Sequence, residues 1–448
     1  MGVMSFDNAT LDSCYWVAEE EIAPYTEKFK EQLTFRPKFS ELKAVPVYRH
    51  VDGKYGIPRH YPARYESVID NRSIGTMKMR HIEFTGELRD HQLPVLMQFY
   101  DKIGDEINDL ILRADTGAGK TVMLLKMFTE LQVPTLVIVP KTDLMNQWRD
   151  RIMEFTDIRK DEIGHIQQNV CDYYGAPIAV GMLHSLCKDK YSSAFKRYWG
   201  LVIFDELHKL GAFHFSKVGG MFPARYRLGA TATLRRADGL AKVFYAHLGE
   251  EEIAPRESVQ PVPRVIKVSY KKLSGKIPHW CKSKIQRRGS LLSLLSKNQD
   301  RNDWVAHYAK ELYDSGRQTL IIGERKTQLF SIKSILSLKY NVSKADMGIY
   351  IGETKQRERE RIAEHCKIIL ATTSMLSLGT DIPTLRGLVF ATPLSDVEQV
   401  VGRICRINDS ELMPTIVDIV DVSHRECLNW AGARNGFYYR SKFEIHNL

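Results

Sequence analysis

Short apolar runs recur along the middle of the chain, each followed by a stretch with helical spacing. Leu110–Leu112, Thr135–Val139, Ile178–Gly181, Leu201–Phe204 and Tyr226–Gly229 read as strands covered on both faces. Strands that alternate with helices predict a parallel sheet sandwiched by helices. A second alternation starts near Val262 and runs to about Val422, with strands predicted at Thr319–Ile322, Ile368–Ala371, Gly387–Phe390 and Thr415–Ile419. The two alternations show no close sequence repeat. Ahead of them the pattern differs. Glu20–Leu33 has helical character, and Val45–Pro58 reads as a hairpin turning at Asp52-Gly53. The expected class is α/β: two tandem parallel-sheet domains behind a small N-terminal α+β domain, with boundaries at 1–84, 85–255 and 256–448.

Composition narrows the class little. A chain of 448 residues has room for about three domains. No run approaches the ~18 apolar residues of a membrane span. Met1–Ser13 lacks the basic start and apolar run of a secretory signal, so a cytoplasmic protein is expected, in a host cytoplasm if a phage encodes it. Seven cysteines are scattered with no C-x-x-C pair, which argues against zinc and redox chemistry and for buried, reduced thiols.

Charge changes the picture more through its distribution than through the net +10. Residues 1–35 are acidic. Residues 36–80 carry ten Lys or Arg against four acids, interleaved with Phe39, Tyr48, Tyr55, Tyr61 and Tyr65. Such a face suits a nucleic-acid backbone with bases stacked on it; the alternative is a solvated basic surface with tyrosines in its core. Residues 271–301 carry nine Lys or Arg and one acid, Asp300, around Trp280. This stretch is either a nucleic-acid contact, with Lys282, Lys284, Arg287 and Arg288 as its candidates, or a flexible linker.

The chemistry-bearing stretch is Arg113–Thr121, R-A-D-T-G-A-G-K-T, between an apolar strand and a helix. Strand, Gly-containing loop and helix make a phosphate cradle, in which Gly117 and Gly119 allow successive N–H groups to converge on one anion. Thr116, Gly117, Ala118 and Gly119 line it, Lys120 is suited to the β- and γ-phosphates and Thr121 to magnesium. Ala114 occupies the first Gly place of the strict pattern. Leu201–Phe204 delivers Asp205-Glu206-Leu207-His208 at a strand end. Asp205 is placed to hold magnesium and Glu206 to deprotonate a water. His208 carries no assigned role and reads as a packing or capping residue.

These motifs and their order resemble a superfamily 2 helicase of the DExH type. Arg89-Asp90-His91-Gln92 is similar to its adenine-reading segment, implying that Arg89 and Gln92 contact the base. P-K-T-D-L-M-N-Q-W at Pro140–Trp148 and M-L-H-S-L at Met182–Leu186 resemble its strand-tracking motifs, implying nucleic-acid contacts at Lys141 and His184. Thr231-Ala232-Thr233 resembles the motif that links hydrolysis to movement. In the second domain, Thr372–Asp381 ends in L-G-T-D, implying nucleic-acid contacts at Thr372 and Thr373 and nucleotide contacts at Gly379 and Asp381. Gln399–Arg406, Q-V-V-G-R-I-C-R, matches the pattern that supplies Gln399, Arg403 and Arg406 to catalysis. Arg403 and Arg406 lie three apart, on one helix face, and are expected to reach the γ-phosphate only when the domains close.

Within the superfamily the resemblance is to the XPB-like and UvsW-like DNA helicases. It rests on Tyr48–Pro58 with Arg59, and on the A-T-L plus R-x-D run Ala232–Asp238, where Ala237 stands in the place of the usual Glu. It implies RecA-like parallel-sheet domains, ATP and Mg2+ as cofactors, a thumb-like element near 271–301, and a monomer acting on forked or branched DNA in recombination, replication or repair. Three alternatives stay open on the residues alone: an RNA helicase, a duplex translocase serving a nuclease, and a degenerate motor used as a binding scaffold.

Overall fold

The apolar runs at 110–112, 135–139, 178–181, 201–204 and 226–229 become the strands Asp109–Arg113, Thr135–Val139, Ile178–Met182, Leu201–Asp205 and Tyr226–Thr231. The computed structural model describes all residues except 1–3, 39–41, 116, 235, 237, 256–260, 274, 276, 279–280, 377–381, 383, 396 and 406–411; of Lys284, Leu376 and Gln399 only the backbone is described. Two compact units divide the chain near residue 258.

In the first unit these strands lie in one sheet with Ile163–Gln167, Val170–Asp172 and Glu252–Ile253. The order across it is 170–172, 163–167, 178–182, 135–139, 201–205, 226–231, 109–113, 252–253. All neighbours run parallel except 163–167 with 170–172, a hairpin at one edge. The Ile163–Gln167 strand escapes the apolar-run criterion because Gly164, His165 and Gln167 interrupt it.

Among the described residues, the second unit holds one sheet of seven strands, all parallel, in the order 347–350, 368–372, 318–323, 385–390, 415–421, 264–270, 444–447. Adjacent residues along each strand serve opposite layers. Ile321, Leu370, Val389 and Val417 enter one core, while Leu320, Ile322, Ile369, Leu388 and Phe390 enter the other. That two-sided burial is why these strands read as continuous apolar runs rather than as alternation.

Residues 4–70 form a five-stranded sheet in the order 49–51, 54–57, 15–18, 4–11, 63–70. Arg49–Val51 and Lys54–Ile57 pair as the expected hairpin, with Asp52 at φ 50° and Gly53 at φ 69° supplying the two left-handed turn residues. Tyr55 is buried, and Tyr48, Tyr61 and Tyr65 pack against the same core. These four tyrosines therefore build the module rather than a stacking face; Phe39 lies outside the described residues. The core continues into the neighbouring layer through Leu240 and Val243.

Two buried guanidinium groups tie this module to the first parallel sheet. Arg59 donates to Asp109 Oδ1 (3.2 Å), to Ala224 O (2.7 Å) and, through Nε, to Asp12 O (2.8 Å). Arg227 donates to Ser13 O (2.6 Å) and Phe222 O (2.9 Å).

Within the basic stretch 271–301, residues 284–301 are ordered into helices and not a flexible linker. The stretch enters a helix, Lys284–Lys297, capped reciprocally by Ser283 and Gln286, and Leu291, Leu292 and Leu295 anchor that helix in the core. Its last cation, Arg301, is fully buried against Asp421 (Nε–Oδ1 2.7 Å, Nη2–Oδ2 2.9 Å). Five of the seven cysteines are buried; Cys187 is half-buried and Cys171 exposed.

Candidate functional site

Strand order assembles the site. Parallel strands present all their C-terminal ends at one sheet edge, where ligands of such sheets gather. Along that edge stand His184 after strand 178–182, Lys141 after 135–139, Asp205 closing 201–205, Thr231 closing 226–231, and the Gly-rich loop after 109–113. Segments far apart in sequence become neighbours, with the Asp205 strand between Lys141 and His184 on one side and the Gly-rich loop on the other.

The loop has the backbone that its glycines permit. Gly117 has φ 89° and Gly119 φ 82°, both left-handed. Gly119 is the N-cap of the helix Lys120–Leu131 and has no side chain to cap its first turn. Lys120 Nζ donates to Ala114 O (2.9 Å) and Asp115 O (3.0 Å). Ala114, in the first Gly place, is buried and donates its N–H to Thr231 O (3.3 Å). Gln92 is buried beside the loop: a Cβ on Gly119 would lie 2.2 Å from its Nε2. Its Oε1 accepts from Arg89 N (2.9 Å), closing the Arg89–Gln92 turn.

On the carboxylate side, Trp148 Nε1 donates to Asp205 Oδ2 (2.9 Å), and Glu206 N donates to Asp205 Oδ1 (3.0 Å). Burial, then the neighbouring Glu206, pushes the Asp205 carboxyl up to about 6, against the pull of Trp148 and Lys120. Glu206 sits at φ 54°, ψ 51°, a left-handed conformation unusual for a residue with a side chain and typical of strained functional positions. Its Oε2 is 3.3 Å from His208 Nδ1, which is also 3.2 Å from Thr231 Oγ1. Thr231 Oγ1 in turn donates to Thr233 O (2.9 Å). His208 thus joins the carboxylate strand to the Thr231–Thr233 motif.

A family model described as "Type III restriction enzyme, res subunit" matches residues 85–236, and one described as "Helicase conserved C-terminal domain" matches 304–408. Among curated relatives, "Putative ATP-dependent RNA helicase L396" of Acanthamoeba polyphaga mimivirus is 29% identical over 92% of this chain and 79% of its own length. "DNA 3'-5' translocase XPB2" of Sulfurisphaera tokodaii is 29% identical over 61% of this chain and 55% of its own. The chain belongs to the superfamily 2 helicases. In fold, the helicase resembles the Hef helicase domain of Pyrococcus furiosus, at TM-score 0.51 and 13% identity, over 77% of this chain and 99% of that one.

A superfamily 2 helicase is an ATP-dependent enzyme acting on nucleic acid, usually with Mg2+. The residues present fit a magnesium nucleotide. The loop combines left-handed glycines with a helix N-terminus that has no side-chain cap, Thr121 follows the loop lysine, and Lys120 acts electrostatically on Asp205 across the sheet edge. Thr116, Gly379, Asp381 and Arg406 of the expected nucleotide site lie outside the described residues, as does the side chain of Gln399. Arg403 lies on the helix Glu398–Ile404 and is largely buried.

The expected nucleic-acid contacts fall into two groups. Lys141 is the N-cap of the helix Thr142–Phe155; His184 is exposed, edge-on to Phe215 at 4.7 Å; Thr372 closes its strand and Thr373 starts the helix that follows. In the helicase's basic helix, however, acids of the same unit already meet two of the cations. Arg287 pairs with Glu426 (2.6 Å), and Arg288 pairs with Glu324 and lies over the Trp430 ring at 5.1 Å. Lys282 is exposed, and the Lys284 side chain is outside the described residues.

Three side chains of the helicase's site do not stand out in the sequence. Trp148 closes the Pro140–Trp148 motif but reads there as one more apolar residue on a helix face with Met145 and Ile152. His208 is equally well a packing residue. Arg236 pairs with Asp238 (Nε–Oδ1 3.0 Å) and donates to His208 O, so the R-x-D run staples the Asp205–His208 turn from behind despite Ala237. A signal exists for Arg236: Gly211 leaves its guanidinium room, since a Cβ there would sit 2.6 Å from Arg236 Nε.

Proposed function

We propose that this enzyme is a DNA helicase or translocase that unwinds or branch-migrates forked and branched DNA, in recombination, replication or repair. The observation that carries the reading is the clamp of Arg59 and Arg227, which fastens an additional module to the sheet bearing the nucleotide loop. A two-domain motor tracks a backbone and has little means to favour a junction. A module fixed to it supplies a second surface for a second arm. The name of the Sulfurisphaera relative, a DNA translocase, supports DNA.

In this reading Arg89 and Gln92 hold the adenine, Thr116, Gly117, Ala118, Gly119 and Lys120 the phosphates, Thr121 and Asp205 the magnesium, and Gly379 and Asp381 complete the nucleotide contacts. Bound ATP would supply the phosphoryl group whose transfer to water drives movement, and Mg2+ would offset the phosphate charge. Glu206 takes the proton from the attacking water, and His208 fixes its carboxylate in place. Gln399, Arg403 and Arg406 orient the water and offset developing negative charge. Lys141, His184, Thr372 and Thr373 hold the tracked strand. Lys282 and Lys284 are the better candidates of the basic stretch, because Arg287 and Arg288 have carboxylate partners.

The second reading is an RNA helicase, favoured by the name of the mimivirus relative. Measuring ATPase rate with single-stranded DNA, duplex, fork, four-way junction and RNA as stimulators separates the two. Stimulation by forks and junctions above linear DNA supports the first reading; RNA as the only effective stimulator replaces it with the second.

A further inference from the structure

The helix Thr142–Phe155 begins at Lys141, in the segment assigned above to the tracked strand, and buries Met145, Trp148 and Ile152 along one face. Trp148 is 1% exposed. Phe or Leu would satisfy an apolar face without bringing a polar atom into it. An indole brings an N–H, and a buried N–H that lacks an acceptor is costly. Here the acceptor is Asp205 Oδ2 at 2.9 Å. The other oxygen, Oδ1, accepts from Glu206 N at 3.0 Å. Each carboxylate oxygen thus has one donor, one from the residue's own turn and one from a neighbouring helix, and the two together fix the plane of the carboxylate. Magnesium demands near-ideal octahedral directions, so a carboxylate already held in plane binds it with less reorganisation than one free to rotate.

We propose that Trp148 is a positioning residue: its indole N–H sets the Asp205 carboxylate for magnesium and ties the metal site to the helix that starts at Lys141. This rests on Asp205 being the magnesium carboxylate. It also gives the helix a second task. A helix moves as a rigid rod, so a displacement at Lys141 by a bound strand is delivered to Asp205 through Trp148.

The test uses the full-length protein. Mn2+, as a spectroscopic stand-in for magnesium, is titrated by electron paramagnetic resonance in the presence of ADP, and ADP affinity is measured separately in EDTA. Trp148→Phe keeps the ring and removes the donor. Benzothienylalanine at position 148 keeps the whole indole shape and replaces only the N–H by sulfur, which covers the case in which Trp148→Phe fails to fold. Both should weaken Mn2+ by 10–100-fold, the usual effect of losing a group that orients a metal ligand, with metal-free ADP affinity changed less than twofold. Ile152→Val, on the same helix face, should lower thermal stability and leave Mn2+ affinity as in the parent. Parent-like Mn2+ affinity in the benzothienylalanine protein would overturn the proposal. Parent-like Mn2+ affinity in Asp205→Asn would instead overturn the assignment of Asp205, whatever the indole does.

Discussion

Arg59, from the N-terminal module, reaches Asp109, the first residue of the strand that runs into the Gly-rich loop, with 3.2 Å between Nη1 and Oδ1 and both side chains about 5% exposed. The same carboxylate takes His60 Nε2 at 2.9 Å. Removing one member of such a pair strands a buried charge, at a cost of about 3–5 kcal/mol. Arg59→Ala should therefore lower the unfolding midpoint of the first unit sharply, and the double variant Arg59→Met with Asp109→Leu should recover most of the loss. Urea unfolding followed by tryptophan emission measures both; equal midpoints for Arg59→Ala and the parent would refute the clamp.

Asp109 also sets an acid limit. Burial works to raise its carboxyl, but Arg59 and His60 prevail and hold it down to about 2, below an ordinary value near 3.8. The folded value is depressed, so the stabilisation is complete above pH ~4 and is lost as pH falls through about 2. His247 acts in a higher window. Burial, and then Arg227, push its imidazole down to about 3 from an ordinary 6.5. Unfolding lets it take up a proton, so stability is full above pH ~6.5 and declines toward pH 3, with a slope of up to about 1.4 kcal/mol per pH unit. Midpoints recorded from pH 7 to pH 3.5 should fall less steeply in His247→Leu than in the parent.

Glu206→Gln should abolish unwinding and reduce ATP hydrolysis by about 10²–10⁴-fold while ATP still binds, because the amide cannot take the proton. Lys120→Ala should lose both binding and turnover. Hydrolysis by Glu206→Gln at the parent rate would remove Glu206 from its assigned role.

Arg403→Ala should lower kcat far more than it raises KM, as expected of a charge used chiefly in the transition state. Steady-state ATPase with saturating DNA separates the two parameters, and a change confined to KM would make Arg403 a binding group.

The basic helix should divide by variant. Lys282→Gln with Lys284→Gln should weaken junction binding, reduce the slope of log K against log salt by about 0.9 for each phosphate no longer neutralised, and leave stability unchanged. Arg287→Gln with Arg288→Gln should instead cost up to about 1 kcal/mol of stability for each pair, since both cations are partly exposed and paired with Glu426 and Glu324. Junction affinity and salt slope unchanged in the lysine pair would remove this helix from nucleic-acid binding.

Local pattern was enough for nine of the parallel strands and for the Gly-rich loop. A strand buried on both faces must be apolar throughout, and a backbone at φ 82° favours Gly119, so each leaves its mark in a few adjacent residues. The same holds for the hairpin turn at Asp52-Gly53. Interrupted or edge strands, such as Ile163–Gln167 and Glu444–Asn447, leave no such mark, because polar residues are tolerated where one side meets water. Partner choice was decided only by the tertiary structure. A run of cations looks the same in sequence whether it faces phosphate or carboxylate, and only the fold brings Glu426 to Arg287, Glu324 to Arg288 and Asp421 to Arg301. Tyr55 reads equally as a stacking platform or as core until the module closes around it. Trp148 is one apolar residue among several until strand order puts Asp205 beside its N–H. Hydrogen bonds and ion pairs depend on distances of about 3 Å between groups far apart along the chain, and no local pattern of residue types encodes such distances.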